Sequence, residues 1–179
     1  METKRWLAGM VVVGLSLLTA SCSFAQILAP EDMGLNYSIT AGVAFPLTSD
    51  VQSSSAPILG VGWYGNAGSG SPTAQIGLTV DWIPIDRADG KSVSLVPVQL
   101  NYKMYNHVSG YRVFTNIGVG VIAASDNVAP MSLDNGVNFG WNVSIGVDLT
   151  NKVFAQARFI AGSDPSNDGL GAVQLGYRF

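Results

Sequence analysis

Apolar and polar residues alternate along much of this chain, and the alternation is clearest at residues 136–149. Seven apolar residues from Val137 to Leu149 occupy every second position, and polar or very small residues such as Asn138 and Gly140 lie between them. A β-strand turns successive side chains to opposite faces, whereas an amphipathic helix repeats every 3.6 residues. The pattern therefore predicts a β-strand with one apolar face and one polar face.

Eight segments of the chain show this alternation. They lie at roughly 34–46, 58–66, 73–83, 93–105, 111–124, 136–149, 153–162 and 170–179. Each is about as long as the 9–11 residues that a tilted strand needs to cross a membrane, or slightly longer. The segments predict an all-β fold, namely an eight-stranded antiparallel up-and-down transmembrane β-barrel.

The links between the segments alternate in length. Short links lie at 67–72, 106–110 and 150–152, and longer links rich in Asp, Ser, Asn and Pro lie at 47–57, 84–92, 125–135 and 163–169. Membrane barrels have short periplasmic turns and longer outer loops. With both chain ends on the periplasmic side, the short links fall there and the longer links fall outside.

A secreted lipocalin-like barrel is the main structural alternative, since it shows the same alternation with its apolar face turned inward. Three features favour the membrane barrel. The apolar face carries no charge in any predicted strand, the polar face is rich in glycine, and the last strand ends on the aromatic Phe179. Closure is also required, because an open sheet edge in lipid would leave amides unpaired.

Aromatic residues fall near both ends of the predicted strands. Amphipathic rings favour the two membrane interfaces, so two aromatic belts are expected; the alternative is that these rings form the core of a soluble sandwich. The predicted belts contain Phe45, Trp82, Trp141 and Phe159 near the outer ends and Tyr37, Trp63 and Tyr102 near the inner ends, where Tyr177 and Phe179 also lie.

Residues 1–25 have the pattern of a secretory signal peptide. Lys4 and Arg5 precede an apolar run, and small residues precede a cleavage site after Ala25. Cleavage there leaves a barrel domain of residues 26–179. Cys22, the single cysteine, lies in a setting that faintly resembles a lipoprotein box, so its lipidation is the alternative.

The charge of the mature chain excludes some functions. Without residues 1–25 it has 7 basic and 11 acidic residues, a net charge of −4. An acidic chain with no basic run argues against nucleic-acid binding. Without cysteine the mature chain has no disulfide and no thiolate metal site, and we expect no cofactor and no metal.

Six charged residues fall on the predicted lumen face. An eight-stranded barrel has an interior just wide enough for side chains, and an unpaired buried charge is costly. We therefore expect a network of ion pairs that fills a polar lumen; a narrow channel with a cationic constriction is the alternative. The predicted network contains Asp81, Lys103, Arg112, Asp148, Arg158 and Arg178.

His107 and Ser109 form a His-x-Ser pair. The pair resembles part of the site of outer-membrane lipid A deacylases, in which histidine activates a serine nucleophile. Both residues lie in a predicted periplasmic turn, and Gly110 stands where that family usually has asparagine. We therefore expect a polar turn and no enzymatic activity.

Two stretches carry a family resemblance. Residues 96–103 (VPVQLNYK) and the ending 176–179 (GYRF) resemble the small eight-stranded outer-membrane barrels of the OmpX, OmpW and OmpA-barrel type, a porin-like family. The ending also resembles the insertion signal of such proteins, carried here by Tyr177 and Phe179. The resemblance implies a location in the outer membrane of a Gram-negative cell envelope.

The resemblance also implies partners and a role. Expected partners are outer-membrane lipids, lipopolysaccharide and the barrel-assembly machinery, with the protein as a monomer. The expected function is structural or interactive, with a largely plugged polar lumen. A narrow porin-like channel for small solutes is the first alternative, and an outer-membrane lipid-modifying enzyme is the second.

Overall fold

The computed structural model describes residues 36–47, 55–67, 73–86, 92–108, 110–126, 136–162 and 169–179. The predicted signal peptide, Cys22 and Ser109 lie outside these ranges. In the described part of the chain, no helix is long and apolar enough to cross a membrane. The strands are β1 (Asn36–Pro46), β2 (Ala56–Asn66), β3 (Ala74–Asp86), β4 (Ser92–Val108), β5 (Tyr111–Ala124), β6 (Gly136–Asp148), β7 (Val153–Gly162) and β8 (Leu170–Arg178).

The eight strands form a closed barrel. Each strand pairs antiparallel with the next, and β1 pairs with β8 from Ser38–Arg178 to Pro46–Leu170. The predicted fold class is therefore confirmed. We call the end that carries the β2–β3, β4–β5 and β6–β7 links the turn end, and the opposite end the loop end.

Two strands are longer than the alternation predicts. β3 continues to Asp86 and β4 begins at Ser92, so residues 84–86 and 92 of the predicted link at 84–92 are strand. Here Ile83 pairs with Leu95 and Ile85 with Val93, and all four side chains are buried. The predicted strands were too short because the inward positions in this part are also apolar, so the two faces no longer differ in polarity.

The β4–β5 link is also shorter than predicted. β4 extends through Val108, which pairs with Tyr111, so residues 106–108 are strand and not turn. Gly110 has a φ of 84°. Glycine adopts that conformation without steric cost, as a two-residue hairpin turn requires.

The barrel exterior is apolar. Apolar side chains at alternate positions are exposed on all eight strands. They are large on seven strands, as at Ile39, Val61, Leu78, Leu100, Val119, Phe139 and Leu175, whereas the exposed residue of β7 is the small Ala157. The polar and glycine positions between them face inward. This orientation is the reverse of a soluble lipocalin-like barrel, and it suits a surface that contacts lipid.

The interior differs from the predicted polar lumen. Toward the loop end it is filled by buried apolar side chains, which we call the apolar cluster: Ala44, Ala56, Ile58, Ile83, Ile85, Val93, Leu95, Ile122, Ala124, Ile160, Leu170 and Ala172. The middle holds polar residues, and three aromatic rings lie toward the turn end, Tyr105, Phe114 and Phe154. The expectation of a polar lumen is therefore wrong for the loop-end part.

Candidate functional site in the barrel interior

An ion pair crosses the middle of the lumen. Arg158 of β7 donates from NH1 to Oδ2 of Asp81 in β3 at 2.6 Å, and both side chains are buried. β3 and β7 are opposite one another in an eight-stranded barrel, so the pair extends across the full width. Arg158 also donates from NH2 to Oε1 of Gln99. The pair and Gln99 thus occupy the lumen at this level.

Side-chain amides surround this ion pair. Asn116 donates to Oδ1 of Asn101 at 2.9 Å, and Asn142 donates to the same oxygen at 3.0 Å and to Oε1 of Gln99 at 2.8 Å. Asn101 in turn donates to Oγ1 of Thr79 at 2.8 Å. Neighbouring amides that satisfy one another make a rigid polar layer, because every displaced group would lose a buried hydrogen bond.

The amide layer was not identified as a site from the sequence. Its signal was present as Asn or Gln at inward positions of consecutive strands, including Gln156 of β7, which donates to Gln174 of β8 at 2.8 Å. Alternation alone assigns such residues to the lumen face. It does not tell whether they meet, since that depends on the register between strands.

A second ion-pair group lies at the turn end. Asp148 of β6 accepts from Arg112 of β5 through Nε and from Arg178 of β8 through NH2, the latter at 2.6 Å. The Arg178 guanidinium also lies 4.5 Å from the centre of the Phe154 ring. One carboxylate thus holds two guanidinium groups, one from the adjacent strand β5 and one from β8, which lies two strands away.

Lys103 is the sixth predicted lumen charge, and it differs from the other five. It is 3% exposed, and no described carboxylate forms an ion pair with it. Its Nζ lies 3.7 Å from the centre of the Tyr64 ring and 4.8 Å from that of Phe114. The predicted network is therefore two separate ion-pair groups and one lysine held against aromatic faces.

A small cavity separates Lys103 from the central ion pair. Its volume is about 20 Å³, and its lining includes Ser38, Tyr64, Lys103, Asn116 and Arg158. A cavity of this size has room for about one water molecule. It is too small to be a solute pathway.

The predicted belt residues all face outward. Tyr37, Phe45, Trp63, Trp82 and Tyr102 are exposed, whereas Trp141 and Phe159 are half-buried against each other, with ring centres 5.3 Å apart.

The end of β8 also presents an aromatic pair. The rings of Tyr177 and Phe179 lie 5.1 Å apart, and the Phe179 amide donates to the Tyr37 carbonyl at 2.9 Å. The predicted insertion signal is thus hydrogen-bonded to the first strand of the barrel.

His107 lies at the turn end of β4, where it is exposed and pairs across the ladder with Arg112. It is therefore part of a strand, and its predicted place in a turn is wrong. No hydrogen bond from its side chain to a carboxylate occurs among the described residues.

Solved structures with the same fold are known. Over 79% of this chain and 98% of the other, the outer membrane enzyme PagL matches with a TM-score of 0.58 and 20% identity. Neisserial surface protein A matches over 81% and 96%, with a TM-score of 0.59 and 13% identity. The Yersinia pestis outer membrane protein Ail matches over 80% and 99%, with a TM-score of 0.52 and 10% identity. The sequence matches no family model and no curated protein.

The chain has the fold of the small eight-stranded outer-membrane β-barrels. Its mainly apolar exterior is the surface that this fold needs in lipid, as expected of a protein in the outer membrane. Proteins with this fold include an outer membrane enzyme and a surface protein, so the fold alone does not determine the role of this chain.

Proposed function

We propose that the protein is a structural or interaction barrel of the outer membrane whose interior is closed to solutes. The apolar cluster is the observation that carries this proposal. Ile58, Ile83, Leu95, Ile122 and Ile160 within it have no exposed surface. An ion entering such a layer would lose its hydration and gain no polar partner, which is costly.

The Asp81–Arg158 pair supports the same proposal, because it is a second closure in series with the first. It lies nearer the turn end than the apolar cluster and crosses the lumen from wall to wall. A solute would have to displace both layers. An open pore needs neither layer, whereas a rigid scaffold gains stability from both.

Conductance in planar lipid bilayers tests the proposal. We expect no channels from the wild type, from an Ile83→Ala/Ile122→Ala/Ile160→Ala variant or from an Asp81→Ala/Arg158→Ala variant. We expect channels only when these five changes are combined with Phe114→Ala and Phe154→Ala, since the turn-end rings also fill the lumen. Heat-modifiable migration on gels would verify that every variant is folded. Discrete conductance steps in the wild type would contradict the proposal.

A narrow anion channel is the second candidate function. It is favoured by the interior charge, since four cations (Lys103, Arg112, Arg158 and Arg178) accompany two carboxylates (Asp81 and Asp148). If the wild type conducts, a Lys103→Ala/Arg112→Ala variant should lose anion preference. Unchanged selectivity in that variant would leave this candidate without support.

We propose that the protein is not an enzyme. His107 is exposed at the turn end, and no described carboxylate orients it. PagL is an outer membrane enzyme with this fold, so lipid modification is worth a direct test. We expect identical lipid profiles in cells that express the wild type and a His107→Ala variant. Loss of a modified lipid in the variant alone would refute this expectation.

We further propose that the exterior partners are outer-membrane lipids and lipopolysaccharide, and that the barrel-assembly machinery inserts the chain by its terminal strand. The aromatic ends of β1 and β8 support the second point, because Tyr37, Tyr177 and Phe179 are exposed together. A Phe179→Ser variant should accumulate outside the membrane, whereas an exterior Val173→Ala variant should insert normally.

We also expect the protein to be a monomer. Its molar mass, measured by light scattering in detergent, tests this expectation.

A further inference from the structure

Lys103 has no ion-pair partner among the described residues, whereas the other interior charges have one. Each described carboxylate in the lumen is already bound by arginine, Asp81 by Arg158 and Asp148 by both Arg112 and Arg178. An ammonium group buried without a counter-charge is strongly unfavourable. The aromatic faces around Nζ stabilise a positive charge but do not neutralise it.

The cavity next to Lys103 is lined by side chains whose formal charges do not cancel. Three charged side chains line it, namely Lys103, Arg158 and Asp81, and together they sum to +1. The Asp81 carboxylate is engaged by Arg158 NH1. The Arg158 Nε, however, is buried and has no hydrogen-bond partner among the described residues. A donor and an ammonium group thus border one space. Asn116 Oδ1 is the buried acceptor of this lining that also lacks a partner among the described residues, but it is a neutral oxygen and does not balance their charge.

The remaining lining suits a small acceptor. The hydroxyl of Ser38 can donate into the cavity, and the Tyr64 ring limits its width. The volume of about 20 Å³ admits one particle about the size of a water molecule. Phosphate, sulfate and carboxylates of organic acids are larger than this space.

We propose that this cavity binds one monovalent monoatomic anion, with chloride as the occupant. One such ion brings the charge of the lining from +1 to zero, which a water molecule cannot do. It accepts from Lys103 Nζ and from Arg158 Nε, two donors of the cavity lining that have no hydrogen-bond partner among the described residues. Because the apolar cluster closes the loop end, the ion is taken up as the barrel folds, and the site is part of the folded structure.

Anomalous diffraction tests the site directly in the wild type. The full chain would be refolded and crystallised in sodium bromide, since bromide replaces chloride and scatters anomalously. We expect a peak inside the barrel beside Lys103 Nζ. Bromide peaks restricted to the protein surface, or an interior filled by water alone, would overturn the proposal.

Unfolding equilibria test whether the ion stabilises the fold. Urea unfolding would be compared in sodium chloride and in sodium gluconate at equal ionic strength, because gluconate is too large for the cavity. At a chloride concentration ten times the dissociation constant, the unfolding equilibrium constant should be about tenfold lower in chloride.

Two lysine variants separate the site from general salt effects. Lys103→Met should lose the difference between chloride and gluconate, whereas Lys152→Met, which removes an exposed lysine at the turn end, should retain it. A wild type that does not distinguish the two anions, or a Lys103→Met variant that still does, would overturn the proposal. If Lys103→Met fails to fold, the bromide experiment on the wild type decides.

Discussion

The two halves of the barrel interior are filled by different kinds of side chain. Toward the loop end, apolar side chains such as Ile122 and Ile160 fill the lumen by packing alone. In the middle and toward the turn end, Asp81, Arg158 and Asp148 fill it through directed ion pairs. A packed apolar layer tolerates small displacements, whereas a buried polar layer depends on every partner being present. Single substitutions should therefore have their largest effects in the polar half.

The most disruptive single change should be Asp81→Asn. It leaves the Arg158 guanidinium buried without a counter-charge, which costs about 3–5 kcal/mol. The free energy of unfolding, measured by urea titration in detergent or lipid, checks this value. Asp86→Asn is the matched control in the same strand, because Asp86 is exposed, and its cost should stay within about 0.5 kcal/mol. Equal costs for the two variants would show that the central pair contributes little.

Ile122→Ala tests the apolar half. The side chain is fully buried, and removing it leaves a cavity that costs about 2–5 kcal/mol. We expect the lower part of that range, since neighbouring residues of the apolar cluster can move into the space. Val121→Ala, which alters the adjacent outward position, is the control, because lipid can fill the gap it leaves. A loss larger than that of Asp81→Asn would reverse the ranking of the two halves.

Gly176→Ala tests how closely the turn-end aromatics pack. An added Cβ would meet the edge of the Phe154 ring, which is itself buried. Overpacking of this kind costs about 1–3 kcal/mol. Gly171→Ala in the same strand is the control, since its Cβ would lie no closer than 3.6 Å to the Leu47 side chain. Similar unfolding free energies for both variants would mean that the ring moves aside freely.

The smallest effect is expected at the seam between β3 and β4. Their paired register reaches Val80–Val98 and resumes at Ile83–Leu95. Odd-numbered residues of β4 direct their amides toward β3, as Tyr105 does toward Thr73. Pro97 has no amide hydrogen, so the bond that it would donate to Asp81 is missing.

Hydrogen exchange in micelles can detect this seam. The missing bond leaves the Asp81 carbonyl without its donor, and the Asp81 amide lies in the same gap of the register, so it should exchange roughly two- to tenfold faster than the Thr79 and Ile83 amides, as expected when about 0.5–1.5 kcal/mol of local stability is lost. Uniform protection of the β3 amides from exchange would mean that the hydrogen bonding between β3 and β4 is not weakened at Pro97. The seam lies beside the central ion pair, so it also shows whether Arg158, which binds both Asp81 of β3 and Gln99 of β4, holds the two strands together.

Much of the fold followed from the sequence because a strand has a fixed period of two. Successive side chains of a strand therefore face lipid and the lumen alternately. Trp141, Asn142 and Val143 could be assigned to these faces without any knowledge of their neighbours in space. The identities of the lumen charges followed in the same way. The strand ends near Ile83 and Val108 did not, because there the contrast between the two faces is lost or the turn is only two residues long.

Which interior residues meet was decided by the tertiary structure. The eight-stranded closure and the register place Arg158 opposite Asp81, 77 residues away in sequence, and leave Lys103 without a carboxylate among the described residues. The apolar filling of the loop end likewise depends on several strands contributing one or two residues each. By itself the sequence determined where the strands lie, which face each side chain occupies and that the apolar face contacts lipid, since these depend on local periodicity. The pairing and closure inside the barrel depend on distances across the lumen, which only the folded barrel defines.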